Sequence, residues 1–295
     1  PSPQAAQIDL YGRFYPPRPA PATYVFSVSH VQGVFEQAES SLAWFREREP
    51  DERVGNSLFV YEVLPDGPAQ GVAFSGMGLL TIAPEDFEAF FASNDVLPRW
   101  YDARTAVLWP GGDQGRPPAH TWAAVGDAHH PTQPALQAFY PPEGKTAVGQ
   151  NSQGDEMRYQ LYNWSNSPIQ AALVDSNRDI RQDFRWSTAA VVGSTVLAAQ
   201  SEPIANPVFG ETMALLAYEM VTSQVDMKPG GTIEMLTYWR IQETPSAQFK
   251  IFLHLLDEQG EVVAQHDGLD VVTDSLYPGD EFGQLHTILL PPELP

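Results

Sequence analysis

The sequence has 295 residues, which suffices for two or three domains of ordinary size. Its 37 acidic and 16 basic residues give a formal net charge of −21, which argues against nucleic acid and anionic lipid as partners because both require a basic surface. Cysteine is absent, so disulfides, thiol nucleophiles and cysteine-ligated metals are excluded. No run of about 18 uncharged apolar residues occurs, so the sequence predicts no transmembrane helix.

The first half of the chain predicts a Pro-rich arm over residues 1–22 and a small α/β domain over residues 23–142, because strand and helix patterns alternate there. A helix is predicted to start at Pro84, since an initial proline followed by acidic residues is typical of a helix N-terminus. Two further helices are predicted at 34–48 and 131–140. Apolar alternation and short apolar runs predict strands at 24–31, 57–64, 78–82, 100–109 and 120–125.

The second half reads as strands separated by turn residues. The predicted strands lie at 158–164, 169–174, 186–199, 208–221, 232–241, 249–256, 261–265 and 284–290. Their spacing predicts an antiparallel β-sandwich of the immunoglobulin-like or jelly-roll-like kind over residues 208–295, with residues 143–207 as a β-rich connecting region that can join it. The predicted fold class is therefore α+β and mostly β.

One candidate metal site is present in a predicted loop. Asp127, His129 and His130 are close in sequence, and carboxylate and imidazole groups are ligands of zinc and copper. A polar loop without a metal is the alternative interpretation. No Gly-x-Ser-x-Gly, Walker, dinucleotide-binding or His-Glu-x-x-His motif occurs, so the sequence indicates no catalytic residue and no cofactor.

Two further sets of residues are candidates for contact with a protein or glycan. Aromatic rings can stack on sugars, and the loop from Asp267 to Glu281 is strongly acidic. Core packing and solvated acids are the alternatives, and Trp239 is assigned to the core because its strand alternates regularly. The candidate contact residues are Trp100, Tyr101, Trp109, Trp122, Asp270, Asp274, Asp280 and Glu281.

The C-terminal part of the sequence resembles a known family. The resemblance rests on an ordered set of strand and turn segments: 209–218, 228–239, 252–260, 263–268, 277–279 and 289–295. This order resembles the extracytoplasmic C-terminal β-sandwich of bacterial membrane glycosyltransferases of the dolichyl-phosphate-mannose–protein mannosyltransferase class. It covers residues 208–295, which are 88 of 295 residues or about 30% of the chain. The upstream segment Arg99–Arg104 resembles the α/β piece that follows the last membrane helix in such proteins.

The resemblance implies that catalysis lies elsewhere, because the family's catalytic acid sits between early transmembrane helices and its donor is a polyprenyl-phosphate sugar. We expect this chain to be a non-catalytic, extracytoplasmic region of such an enzyme, or a secreted relative, that positions an acceptor protein or glycan. It would then be membrane-associated through a parent chain or a partner. The family sandwich continues with two more strands, so we expect the sandwich to be incomplete at its C-terminus.

Two other functions remain open from the residues alone. The chain can be a structural accessory subunit of a cell-surface assembly, oligomeric and joined to neighbours through an open strand edge. It can also be a sugar hydrolase with paired carboxylates, since acidic residues are plentiful.

Overall fold

The computed structural model describes residues 19–32, 42–112, 116–150, 154–188, 191–192, 195–196, 200–203, 205–222 and 227–293. Strands outweigh helices and most pair antiparallel, which confirms the predicted α+β, mostly β fold class. The strands are β1 (Ala22–Ser27), β2 (Glu52–Val54), β3 (Leu58–Val63), β4 (Gln70–Ser75), β5 (Val96–Tyr101), β6 (Ala106–Trp109), β7 (His120–Gly126), β8 (Lys145–Gln150), β9 (Glu156–Trp164), β10 (Ile180–Arg181), β11 (Arg185–Thr188), β12 (Val191–Val192), β13 (Thr195–Val196), β14 (Gln200–Pro203), β15 (Val208–Phe209), β16 (Met213–Met220), β17 (Thr232–Ile241), β18 (Ile251–Leu256), β19 (Val262–Gly268) and β20 (Glu281–Leu289). The helices are α1 (Val28–Val31), α2 (Ala43–Arg46), α3 (Pro84–Phe91), α4 (Pro134–Gln137) and α5 (Pro168–Val174).

A small antiparallel sheet in the order β1-β3-β2 forms the N-terminal part of the described structure. Its core is aromatic, with Phe45 of α2 packed against Tyr24 and Tyr61 at ring-centroid distances of 5.0 Å each. Two-residue alternation places Tyr61 and Val63 on the same buried face of β3.

A mixed five-stranded sheet in the order β5-β4-β7-β9-β8 follows. Strands β5, β4 and β7 are parallel, and β9 and β8 continue the sheet antiparallel. Helix α3 covers one face through Phe87 and Phe91, which are buried with Val72 and Phe74 of β4. The predicted start of this helix at Pro84 is confirmed.

The opposite face of the five-stranded sheet packs on a six-stranded sheet. This second sheet has the order β10-β16-β17-β20-β6, with β15 paired to β16, and all its pairings are antiparallel. Val125 and Trp164 from the first sheet share one buried core with Leu236 and Tyr238 from the second. The hairpin of β18 and β19 contacts the other, outer face of the six-stranded sheet at β20.

Strand β6 connects the two halves of the chain. It pairs with β20 in the register Ala106 to Gln284 and Trp109 to Glu281. The shared core and the pairing of β6 with β20 join residues that lie on both sides of the predicted domain boundaries at residues 142 and 207. Residues assigned by sequence to an α/β domain and to a sandwich therefore contribute to the same layers.

Several local predictions were wrong. Residues 169–174, predicted as a strand, form α5, because Ser167 caps the helix by accepting a hydrogen bond from the Gln170 amide and Pro168 occupies its first position. The 78–82 segment forms a 3₁₀ turn over Leu79–Thr81 instead of a strand. The 208–221 strand is divided at Gly210 and Glu211, whose φ angles are 56° and 61°.

Other predictions fell partly outside the described residues or were missed. Of the helix predicted at 34–48, residues 34–41 lie outside the described residues, and the remaining part contains helix α2. Within the strand predicted at 186–199, the described residues form the short pieces β11, β12 and β13, of which β11 pairs with β14 and β12 with β13. Strands β4 and β8 were not predicted. Within the described residues, no helix is both long and apolar enough to cross a membrane.

Candidate functional site

The four candidate aromatic residues do not form one exposed surface. Trp100 and Tyr101 are neighbours on β5 and point to opposite faces of the sheet, where both are buried at 7% and 6% exposure. Trp109 and Trp122 are half-buried, and the indole N–H of Trp122 donates a hydrogen bond to Gln70 Oε1 at 3.0 Å. These aromatic side chains therefore pack and orient the sheets.

The four candidate acids are also not one surface. Asp280 is fully buried and accepts a hydrogen bond from Arg99 Nε at 2.5 Å, while Glu281 is only 3% exposed. Asp270 is half-buried, and Asp274 alone of the four is exposed. Two carboxylates of the predicted acidic contact loop, those of Asp280 and Glu281, are therefore buried and not available on its surface.

The structure does not assemble Asp127, His129 and His130 into a metal site. The ring of His129 lies against Gly76, where an added Cβ would be 2.0 Å from its Nδ1. His130 Nδ1 lies 3.5 Å from the Tyr162 hydroxyl, and burial lowers the pKa of His130 while Asp127 opposes this shift. Among the described residues, no group of three or more His, Asp or Glu side chains is placed to hold a metal ion.

A cleft of about 810 Å³, called the apolar cleft below, lies among the described residues. It lies on the outer face of the six-stranded sheet, beside the hairpin of β18 and β19. Its floor is formed by side chains of β16 and β17: Met213, Leu215, Met235, Thr237 and Trp239. The volume falls within the range of about 300–1,000 Å³ that is typical of ligand sites.

Side chains of β17 that point away from the core form part of the floor of the apolar cleft. Leu236 and Tyr238 point into the core between the sheets, so Met235, Thr237 and Trp239 point outward. Leu215 lies opposite Trp239 in the register between β16 and β17. A register shift in β16 after Leu215 accompanies this pairing.

The hairpin and a group of aromatic residues form the walls. Ile251 and Leu253 of β18 face the cleft, and Phe252 at the mouth is 62% exposed. Phe209 packs edge-to-face on Trp239 with ring centroids 5.5 Å apart. Phe184 and Tyr218 line the same cavity.

A chain of polar groups runs beneath the floor. The indole N–H of Trp239 donates to Thr237 Oγ1 at 2.7 Å, and His286 Nε2 lies 2.9 Å from the same oxygen. His286 Nδ1 is 3.0 Å from Nδ1 of His266 on the hairpin. The polar atoms of Trp239 and Thr237 are thus occupied within the protein, and because both side chains are only 4% exposed, the accessible part of the floor comes mainly from the half-buried Leu215 and Met235.

The lining of the apolar cleft lacks the negative charge that the acidic composition of the chain would suggest. Among the described residues that line it, Lys250 is the only charged one, and no acidic side chain contributes. Lys250 forms no ion pair with the described residues. Such a lining favours the burial of apolar groups and leaves one cation at the rim.

A second cavity of about 630 Å³ has a more polar lining. It lies near α5 and includes Tyr140, Pro141, Asn163, Trp164 and Asp175. Trp164 is 5% exposed and its indole N–H donates to the Phe139 carbonyl at 3.1 Å, so little of its ring is available to a ligand.

Sequence reasoning missed the residues that form the apolar cleft. Its assignment of Trp239 to the core is confirmed, since this side chain is 4% exposed, but it did not consider Phe209, Leu215 or Phe252 as contact residues. One signal was available: β17 is apolar on both faces, which indicates that both must be covered. The chain matches no protein-family model, no curated protein and no solved structure.

Proposed function

We propose that this chain is the extracytoplasmic acceptor-binding region of a membrane glycosyltransferase of the dolichyl-phosphate-mannose–protein mannosyltransferase class, or a secreted relative of that region. Its task is to hold an extended segment of an acceptor protein in the apolar cleft. The observation that carries the proposal is this cleft, to which no acidic side chain of the described residues contributes, beside the edge of β18 that no described strand covers. The resemblance of residues 208–295 supplies the enzyme class.

The lining favours a polypeptide over a glycan. A sugar presents hydroxyl groups in every direction, and each buried hydroxyl needs a hydrogen-bond partner. The cleft offers mainly Leu215, Met235 and Phe252, because Met213, Thr237 and Trp239 are almost fully buried beneath them. Burying one Val or Leu side chain stabilises a complex by about 1.5–3 kcal/mol, so a few apolar side chains suffice for binding.

The edge of β18 favours an extended conformation of the bound segment. Within the described residues, β18 pairs only with β19, so its second edge has no strand partner. Ile251 and Leu253 of this strand line the cleft. A peptide that adds to this edge would place alternate side chains over the floor, because side chains of a strand alternate between faces.

A peptide titration tests the proposal. The probe is the fluorescein-labelled heptapeptide Thr-Val-Thr-Val-Thr-Val-Thr, followed by fluorescence anisotropy, because its valines share one face. We expect saturable binding that weakens at least about tenfold in Leu215→Glu, which places a charge on the floor. Val174→Glu is the matched control, since Val174 is 84% exposed outside the cleft, and it should bind like the wild type.

Two outcomes would contradict the proposal. One is the lack of saturable binding up to about 1 mM peptide, the weak limit of useful affinity. The other is equal affinity of Leu215→Glu and Val174→Glu, which would place the peptide elsewhere. A stable oligomer whose interface covers Ile251–Leu256 would instead support an accessory subunit that exchanges strands with its neighbours.

A further inference from the structure

Two histidines join the hairpin to the sheet next to the apolar cleft. His266 on β19 and His286 on β20 approach with their Nδ1 atoms 3.0 Å apart and their rings nearly perpendicular at 78°. His286 is fully buried and His266 is half-buried. Only one hydrogen fits between two nitrogens at this distance, so one ring donates and the other accepts.

The surrounding hydrogen bonds select the direction of donation. Thr237 Oγ1 accepts from the Trp239 indole and lies 3.3 Å from the Gln284 carbonyl oxygen, to which its hydroxyl donates. His286 Nε2 then carries a hydrogen and donates to Thr237 Oγ1 at 2.9 Å. Nδ1 of the neutral His286 is consequently the acceptor, and His266 is the donor.

Among the described residues, His266 is the only group whose charge shifts the pKa of His286. On the hairpin, His254 and Asp267 lie on the outer face, 3.7 Å apart from Nε2 to Oδ1. On β20 and β17, Glu281 and Arg240 pair with each other on the opposite face of the sheet, where Glu234 also lies. Asp270 is bonded to Gln284 Nε2 at 2.7 Å, and Lys250 stands at the cleft rim.

We propose that the contact between His266 and His286, which we name the histidine latch, is a pH-sensitive closure. It holds the hairpin of β18 and β19 on the sheet while His286 is neutral, and it releases the hairpin when both rings are protonated. Two imidazolium rings would each carry a hydrogen on Nδ1, so the 3.0 Å contact would become a repulsion between like charges. Release would widen the apolar cleft, because Ile251 and Leu253 form its wall.

The direction of the pH dependence follows from burial. Burial, and secondly the proximity of His266, lower the pKa of His286 to about 4, while a histidine released into water returns to about 6.5. The open state therefore binds more protons than the closed state between these values, so acid favours opening. The latch is fully effective above about pH 7 and is lost as the pH falls through this window. Its relevance to binding rests on the proposed function of the cleft, whereas the latch itself is tested without a ligand.

Hydrogen exchange of the free protein, detected by mass spectrometry, tests the latch. After correction for the intrinsic pH dependence of exchange, we expect amides of residues 251–268 to exchange at least about tenfold faster at pH 4.5 than at pH 7. Amides of β7 and β9 should keep their protection. In His266→Asn the amide nitrogen replaces Nδ1 as an uncharged donor, so the acid-induced opening should be clearly weaker than in the wild type, while the part that comes from burial of His286 should remain.

His254→Asn is the matched control, because it removes a histidine from the outer face of the same hairpin and should behave like the wild type. Equal protection of residues 251–268 at both pH values would overturn the latch. So would an undiminished acid response in His266→Asn, or loss of protection in β7 and β9 together with the hairpin. Because no peptide is present, these results are independent of whether the cleft binds one.

Discussion

Asp280 joins residues of the N-terminal and C-terminal halves of the molecule. Its carboxylate accepts hydrogen bonds from Arg99 Nε at 2.5 Å, from the Gly111 amide at 2.8 Å and from the Tyr277 amide at 2.8 Å. Arg99 also donates to the Gly112 carbonyl. Arg99 is 1% exposed and Asp280 is fully buried, so the pair is shielded from water. Loss of one partner would leave a buried charge uncompensated.

The substitution Asp280→Asn is therefore expected to lower the free energy of unfolding by about 3–5 kcal/mol, measured by urea denaturation. Asp179→Asn is the control, because Asp179 and Arg181 form an ion pair with 62% and 37% side-chain exposure. We expect that change to leave the free energy of unfolding nearly unchanged, because solvent screens an exposed ion pair. Equal losses in the two variants would show that burial of the Arg99 pair has no special energetic role.

The role of Asp280 could not have been predicted from the sequence. It stands in an acidic loop where solvated carboxylates are the ordinary expectation, and its partner is 181 positions away. The same holds for Glu281, which accepts from Ser167, Gln170 and Arg240. The residue types indicate that this loop is charged. They do not indicate the partners of Asp280 and Glu281, because these depend on which strands become neighbours in the fold.

At the scale of elements, strands in which apolar residues recur at every second position were the easiest to predict. The boundaries of β17, residues 232–241, were predicted correctly because Ile233, Met235, Trp239 and Ile241 fall on one face of the strand. Strand β4 was missed because Gln70–Ser75 is buried along its whole length in the centre of the sheet, so its sequence does not alternate. Helix α5 was mistaken for a strand because its apolar run is only seven residues long.

Helix α5 is held at its N-terminus by Ser167. The Ser167 hydroxyl accepts from the Gln170 amide at 3.2 Å and donates to the buried Glu281 Oε2 at 2.6 Å. Ser167→Ala should therefore lower the free energy of unfolding by about 1–3 kcal/mol, through loss of the cap and of one partner of a buried carboxylate.

Ser165→Ala provides the comparison for this helix, because Ser165 is exposed two positions earlier in the chain. Its effect on thermal or urea unfolding should remain within about 0.5 kcal/mol. If Ser167→Ala were equally neutral, the capping interaction would not contribute to stability and the Glu281 contact would be dispensable.

At the scale of the whole molecule, the two large sheets and the hairpin form successive layers that the sequence order does not suggest. The pairing of β6 with β20 brings residues 106–109 beside residues 281–284. Periodicity predicts elements but contains no information about which distant strands pair, so the shared core was not predictable. The apolar cleft was missed for the same reason, since its floor, wall and aromatic end come from separate segments.

The central claim is that an extended peptide adds to β18 over the apolar cleft. The most direct measurement is hydrogen exchange of the Ile251–Leu256 amides with and without a saturating amount of the Thr-Val heptapeptide. We expect amides of β18 to become protected with this peptide, and not with the same peptide methylated at every backbone nitrogen, which cannot donate across a strand edge. Unchanged exchange of β18 at saturation, or equal protection by the methylated peptide, would contradict strand addition at this edge.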